Sequence, residues 1–170
     1  DNYVLTSIKL PYSLREISDS AFYNCSELTA IEIPNEVEAI GDNAFYSCGR
    51  ISSINIHGSV KTIGESAFES CSLFDLTIQD GVRSIGSNAF SFNDNLLSAT
   101  IPNSVTDIGD GAFRECTNLT SITLSSGITR IGDGTFTNCS GLTSIKIPNG
   151  VKSIGNYAFV ECSNLTSISL

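Results

Sequence analysis

Methionine and tryptophan are absent from this chain, and histidine occurs once, at His57. The sequence also lacks the motifs H-E-x-x-H, G-x-S-x-G and the P-loop, so the usual nucleophile–base pairs cannot be assembled. A hydrolase that uses two carboxylates stays open because acids are plentiful, although no pair of acids is set apart from the others. The sequence therefore predicts a protein that is not an enzyme and that needs no cofactor or metal.

Basic residues are scarce, because nine Lys and Arg stand against eighteen Asp and Glu, for a net charge of −9. Nucleic-acid binding relies on Lys and Arg that displace counterions from phosphates, so no nucleic-acid partner is expected. No run approaches eighteen apolar residues, which predicts no membrane insertion in this segment. Without a methionine or a basic, apolar leader, the chain is expected to be a mature or excised fragment.

One phrase, Ile-Gly-x-x-Ala-Phe-x-x-Cys, recurs along the whole length of the chain. Its phenylalanines follow one another after 23, 23, 22, 23, 23 and 23 residues, and they are Phe22, Phe45, Phe68, Phe90, Phe113, Phe136 and Phe159. Repeats of this length stack as identical coils and bury a continuous core, so we interpret 1–170 as a single solenoid, part of a longer array. The units are 5–27, 28–50, 51–72, 73–95, 96–118, 119–141 and 142–164, with a partial unit at 165–170.

Within a unit, positions 1, 4 and 6 are apolar, as in Leu142, Ile145 and Ile147, which predicts a short strand with one buried face. A proline often follows at position 7 and ends the strand, since it cannot donate to a ladder. Apolar residues at positions 10 and 13 indicate a second short extended piece on the opposite side. The glycine at position 14 indicates a turn that can need a positive φ, and Ala-Phe-x-x-Cys predicts a single helical or 3₁₀ turn.

These units resemble leucine-rich repeats of the BspA-like, or treponemal, subclass, whose pattern is close to L-T-S-I-x-I-P-x-x-V-x-x-I-G-x-x-A-F-x-x-C. The unit 142–164 matches it at Leu142, Thr143, Ser144, Ile145, Ile147, Pro148, Val151, Ile154, Gly155, Ala158, Phe159 and Cys162. The resemblance covers 5–170. It implies an α/β-type solenoid dominated by short β-strands: a right-handed leucine-rich repeat solenoid with a parallel sheet on its concave side. It also implies secreted or surface proteins that adhere to host or matrix proteins.

The six cysteines all occupy position 21, and they are Cys25, Cys48, Cys71, Cys116, Cys139 and Cys162. Their separation is the repeat period, which no C-x-x-C metal site resembles. Stacked equivalents about 5 Å apart point the same way, so a disulfide needs a local backbone shift. We therefore predict a ladder of small buried thiols. Asn93 replaces cysteine in the fourth unit and needs a hydrogen-bond partner if it is buried.

Acids recur at position 15, namely Asp19, Asp42, Glu65, Asp110 and Asp133. Stacked carboxylates suggest a calcium groove, but the chain has no Asp-x-Asp-x-Asp-Gly loop. The preferred interpretation is that each acid caps the free amides of the turn that follows it in its own unit.

Positions 2, 3 and 5 are expected to face solvent on the concave side, where most residues are Ser or Thr. The exception is the pair Phe74 and Leu97 with Asp75 beside it, an anchor of the kind that binding surfaces use. Glu32 and Asn55 complete the candidate partner-binding residues. The alternative is a register change, because the third unit is one residue short between Cys71 and Leu73, and a slip would turn Phe74 inward.

The predicted function is an extracellular or cell-surface, adhesin-like module that binds a protein partner. Residues 1–80 carry twelve acids and four bases, whereas 81–170 carry six and five, which favours a basic patch on the partner at the acidic end. The alternatives are a structural spacer and a substrate-positioning region of a larger surface protein, with ice binding by the Ser/Thr rows as a remote one. We expect a monomer, or end-to-end stacking of uncapped repeats.

Overall fold

The computed structural model describes residues 2–170, which form a parallel β-solenoid of about seven turns with no helix. Each coil of the solenoid corresponds to one sequence unit, and its two extended pieces pair in parallel with their equivalents in neighbouring coils. The predicted solenoid of short parallel strands is therefore confirmed.

The first row of strands forms the concave side. It contains β3 (Ser53–Ile56), β5 (Asp75–Ile78), β7 (Ser98–Thr100), β9 (Ser121–Thr123), β11 (Ser144–Lys146) and β13 (Ser167–Ser169). In the first two coils, this row is represented by a single parallel bridge between Ser7 and Ala30. The ladder joins β3 to β5, β7 to β9 and β11 to β13, so it is interrupted between these pairs.

The second row lies at positions 12 and 13 of each unit, as the apolar pattern predicts. It contains β1 (Glu16–Ile17), β2 (Ala39–Ile40), β4 (Thr62–Ile63), β6 (Ser84–Ile85), β8 (Asp107–Ile108), β10 (Arg130–Ile131) and β12 (Ser153–Ile154). The first five of these strands form one sheet and the last two another.

The core between the two rows is built around the seven phenylalanines of the repeated phrase. Their rings stack in one column, with centroids 5.1–6.1 Å apart and planes within 19° of parallel. Stacked aromatic pairs contribute about 0.5–1.5 kcal/mol each beyond the burial of their area. The 6.1 Å spacing separates Phe113 from Phe136, which follows the buried Thr135 where other units have alanine. The larger side chain accounts for the wider spacing.

The Ala-Phe-x-x-Cys segment is a series of β-turns, so the predicted helical or 3₁₀ turn is wrong. Alternate amides point in different directions: Ala21 N–H donates to Ser18 O within the coil (3.2 Å), and Phe22 N–H donates to Ala44 O of the next coil (2.8 Å). Positions 16 and 20 have positive φ, with values of 52–59° at twelve non-glycine residues. A helical turn would direct its amides within the coil and leave none for stacking.

The glycine at position 14 is required for space and not for a positive φ, which corrects the expectation for this position. A Cβ on Gly64 would lie 2.5 Å from the backbone nitrogen of Asp42, and one on Gly41 would lie 2.5 Å from that of Asp19. Neither glycine has a φ in the left-handed region. Consecutive coils therefore approach too closely here for any side chain.

The cysteines form the predicted ladder of buried thiols, and all six are free. The Cys48 Sγ–H donates to the carbonyl oxygen of Phe22 in the preceding coil (3.1 Å), and four further cysteines repeat this contact at 3.0–3.3 Å. Burial raises the pKa of the Cys48 and Cys116 thiols to about 12. These thiols therefore stay protonated and keep donating at neutral pH.

Candidate partner-binding face

The concave face consists of the exposed side chains at positions 2, 3 and 5 of the first strand row. Strand β3 sets the pattern, with Ser53 and Asn55 exposed and Ile54 and Ile56 buried. Strands β5, β7, β9 and β11 repeat this alternation because successive side chains point to opposite sides of a strand, whereas all three residues of the last strand, β13, are exposed. Most of the concave face is therefore a surface of serine and threonine hydroxyls.

Phe74 and Leu97 break this pattern and point to solvent, with 60% and 44% of their surface exposed. Ser53 pairs with Asp75 and Ile54 with Leu76, so the strand keeps its register. The slip that would have turned Phe74 inward has not occurred. The third unit is instead one residue short in the loop before Leu73, and Leu73 itself stays buried.

The two apolar side chains occupy the same position in consecutive coils. Phe90 and Phe113, which belong to these coils, stack 5.5 Å apart in the core, which measures the local rise of the solenoid. The strand ladder is interrupted between β5 and β7, at these same coils. A groove of about 230 Å³ follows this interruption and is lined by Phe74, Asp75, Thr77, Ser98 and Thr100, among others.

Three of the predicted residues, Glu32, Asn55 and Asp75, line a second groove of about 340 Å³. The Asn55 side chain is held in place, since its Oδ1 accepts from Gln79 Nε2 at 3.1 Å. His57 follows strand β3 directly, and its Nδ1 lies 3.3 Å from the same Gln79 nitrogen. Asp75 belongs to both grooves, so Glu32, Asn55, Phe74 and Asp75 lie on one continuous surface. Together with Leu97, which directly precedes Ser98 of the smaller groove, these residues form the concave patch over coils two to five.

The charged side chains of the concave patch form no ion pairs. Glu32 and Asp75 are exposed, and neither forms an ion pair with any residue of the described range 2–170. Lys9 lines a groove with Glu32 from the neighbouring coil, but its ammonium lies over the Tyr12 ring at 5.2 Å. The patch therefore combines an apolar centre with two acids that no ion pair holds.

Sequence reasoning missed a hollow of about 490 Å³ between β9 and β11, lined by Ile122, Leu124, Lys146 and Pro148, among others. Between Leu124 and Ser126, which line it, Ser125 takes the proline position of the sixth unit. Ser125 is fully buried and donates through Oγ to Val105 O (2.5 Å). The absence of proline at this position was the available sequence signal.

The acids at position 15 bind backbone amides, but not those of their own turn as predicted. Asp42 N–H donates to Asp19 Oδ1 (2.8 Å), and Glu65 N–H donates to Asp42 Oδ1 (2.7 Å). Asp110 and Asp133 repeat this contact, so the four aspartates, but not Glu65, cap the equivalent amide of the next coil, because the turn's own amides are already paired. Over residues 2–170, no group of three His, Cys, Asp or Glu side chains is placed to hold a metal ion.

No helix in the described part of the chain is long and apolar enough to span a membrane.

The comparisons agree with this architecture. The family model described as a BspA type leucine-rich repeat region matches residues 1–97 and 83–170, in six copies. A leucine-rich repeat protein from Bacteroides ovatus is 37% identical over 92% of this chain and 41% of its own, with a TM-score of 0.88. The T. pallidum leucine-rich repeat protein TpLRR is 33% identical over 89% of this chain and 72% of its own, with a TM-score of 0.83.

A leucine-rich cell surface protein from Faecalibacterium prausnitzii is 38% identical over 91% of this chain and 42% of its own, with a TM-score of 0.81. The chain thus spans less than half the length of two of these relatives. No protein with a curated description matches it in sequence.

Proposed function

We propose that this chain, which belongs to the BspA-type leucine-rich repeat family, is an extracellular or cell-surface module that binds a protein partner through the concave patch. Leucine-rich repeat solenoids are generally scaffolds for protein interaction, and one similar structure is described as a cell surface protein. The observation that carries the proposal is the exposure of Phe74 and Leu97 on a face of hydroxyl groups.

Burial of the Phe74 side chain under a partner would contribute enough free energy of binding for Phe74 to act as an anchor residue. A phenylalanine buries 150–250 Å², so covering the 60% that is exposed contributes about 2–4 kcal/mol. Truncations of this size define interface hot spots. Leu97 extends the same apolar surface to the next coil, and the surrounding serines and threonines supply a polar rim that can pair with a partner's backbone.

The test is a binding assay of the immobilised chain against soluble extracellular-matrix and host-surface proteins. We expect saturable binding that falls at least tenfold in the variant Phe74→Ser/Leu97→Ser. The matched control is Phe92→Ser, which removes a half-exposed aromatic outside the concave face and should leave affinity unchanged. Lack of saturable binding to every protein tested, or equal binding by both variants, would falsify the proposal.

A structural spacer is the second candidate, and the uniform Ser/Thr rows outside the concave patch favour it. In that case the partner binds a flanking domain of the longer protein. Deleting this segment would then shorten the reach of that domain without changing its affinity, which a binding assay on the two full-length forms measures directly.

A further inference from the structure

We infer that the concave patch binds an extended partner segment that is both apolar and basic, with a large apolar side chain on Phe74 and Leu97 and Lys or Arg beside it. This inference rests on the proposed function, and it specifies the chemistry of the partner. Three features of the concave patch support it: the apolar pair, the charges around that pair, and the separation of Glu32 from Asp75.

The apolar requirement follows from Phe74 and Leu97 themselves. Their equivalents in the first three and the last three coils are Thr6, Thr29, Ser52, Thr120, Thr143 and Thr166. Among residues 2–170, position 2 of the repeat therefore presents a large apolar side chain at these two coils and a hydroxyl at the others. The adjacent groove of about 230 Å³ has room for a side chain beside the Phe74 ring.

The basic requirement follows from charge complementarity. Over coils two to five, the charged residues at the concave positions are Glu32 and Asp75, and neither has an ion-pair partner among residues 2–170. The basic residues of this face, Lys9 and Lys146, belong to the first and seventh coils. Arg50, at the edge of the second coil, is held by Glu27 at 3.1 Å. A partner that covers the apolar pair therefore meets negative charge that no ion pair holds, and the nearest cation of this face, Lys9, stands beside Glu32 and not beside Asp75.

The spacing indicates how the segment lies. Glu32 and Asp75 are two coils apart, about 10 Å along the solenoid axis, and are offset by two residues, about 7 Å, along the strands. Their separation is thus about 12 Å, or roughly four residues of extended chain. Phe74 precedes Asp75 directly. A segment that crosses the strands obliquely thus places one basic residue at Glu32 and, roughly four residues further on, an adjacent apolar and basic pair at Phe74 and Asp75.

The experiment is panning of a library of displayed random twelve-residue peptides on the immobilised chain. We expect enrichment of peptides in which a large apolar residue lies within about three residues of Lys or Arg. A synthetic peptide from this pool should lose at least tenfold in affinity to Glu32→Gln/Asp75→Asn. It should also weaken as salt rises, because exposed charges are screened.

The matched control is Glu16→Gln/Asp107→Asn, which removes two exposed carboxylates from the second strand row, likewise without ion pairs within the described range. It changes the net charge equally and should leave the affinity as it is. All four substituted positions are exposed, and unchanged thermal unfolding checks that the variants fold.

The two proposals fail in different ways. One outcome is enrichment of peptides without excess Lys or Arg that bind Glu32→Gln/Asp75→Asn as well as the native chain but do not bind Phe74→Ser/Leu97→Ser. This outcome would overturn the inference and leave the proposed function standing. Peptides unaffected by either double variant would overturn both. The control Glu16→Gln/Asp107→Asn should not lose affinity. If it loses as much as Glu32→Gln/Asp75→Asn, net charge alone explains the effect, and the inference is overturned.

Discussion

The side-chain oxygen Oδ1 of Asn93 accepts a hydrogen bond from the backbone N–H of Leu73 at 3.0 Å, where the third unit is one residue short. In coils of full length, this amide donates to the cysteine carbonyl three residues earlier, as Leu28 does to Cys25 (3.0 Å). In the short unit Leu73 lies only two residues after Cys71. The Asn93 side chain replaces the lost acceptor.

Asn93 also makes the hydrogen bond that the cysteine makes at this position in other units. Its Nδ2 donates to the carbonyl oxygen of Phe68 (2.9 Å), as the Cys116 thiol donates to that of Phe90 (3.3 Å). The fully buried amide is therefore paired on both sides. The missing residue and the replaced cysteine are two parts of one local adaptation.

Asn93→Cys should lower the free energy of unfolding by about 1–3 kcal/mol, because it leaves the buried Leu73 amide without an acceptor. Urea denaturation measures the change. Inserting one glycine between Cys71 and Ser72 restores the normal loop, so Asn93→Cys should cost much less in that background. An equal cost in both backgrounds would contradict the coupling between Asn93 and the short loop.

Gly64→Ala should destabilise the solenoid by more than about 2 kcal/mol, because its Cβ would lie 2.5 Å from the Asp42 backbone nitrogen. The control is Gly49→Ala, whose Cβ would have no other atom within 4 Å. This change should be neutral or slightly stabilising, since alanine lowers the entropy of the unfolded chain. Thermal unfolding separates the two outcomes, and similar effects at both glycines would disprove the close approach of the coils.

Phe92→Asn should stabilise the protein by about 0.5–1 kcal/mol, because asparagine tolerates positive φ better than a bulky aromatic residue. Phe92 has a φ of 56°, and Asn24 and Asn138 occupy the equivalent position in other units. Phe92→Val places a β-branched residue in the same conformation and should destabilise. Denaturant midpoints test the ranking, which is wrong if valine is tolerated better than asparagine.

The buried thiols should make the solenoid lose stability in alkaline solution. Burial raises the pKa of Cys116 from 9.0 to about 12, so the folded state favours the protonated thiol. The resulting stability is complete below pH 9.0 and is lost as the pH rises towards 12, at up to about 1.4 kcal/mol per pH unit for one thiol.

Denaturation of the native chain and of Cys116→Ala at pH 7.5, 9 and 10.5 measures this dependence. The variant should be less stable at pH 7.5 because of the cavity that it creates. Its stability should nevertheless fall less steeply above pH 9 than that of the native chain. Parallel curves would show that Cys116 does not contribute.

The inward and outward positions of each unit were predictable from the sequence because they depend on alternation within a few residues. The exposure of Phe74 followed from position 2 of its unit, although the short loop before Leu73 left a register slip as an alternative. Pairing of Ser53 with Asp75 settles the register. The hollow beside Lys146 was not predicted, since it lies between residues of two neighbouring coils, such as Leu124 and Pro148.

The repeat by itself determined the number of coils, the phenylalanine and cysteine columns and the residues that face solvent, because each follows from a local period. The tertiary structure alone decided how coils join: that Asp19 caps Asp42 of the next coil, that Gly64 is needed for close approach and that the turn is not helical. A backbone amide can donate to an acceptor in its own coil or to one 22 or 23 residues away in a neighbouring coil. Which acceptor it uses depends on how closely the coils stack, and the sequence of a single unit does not specify that distance.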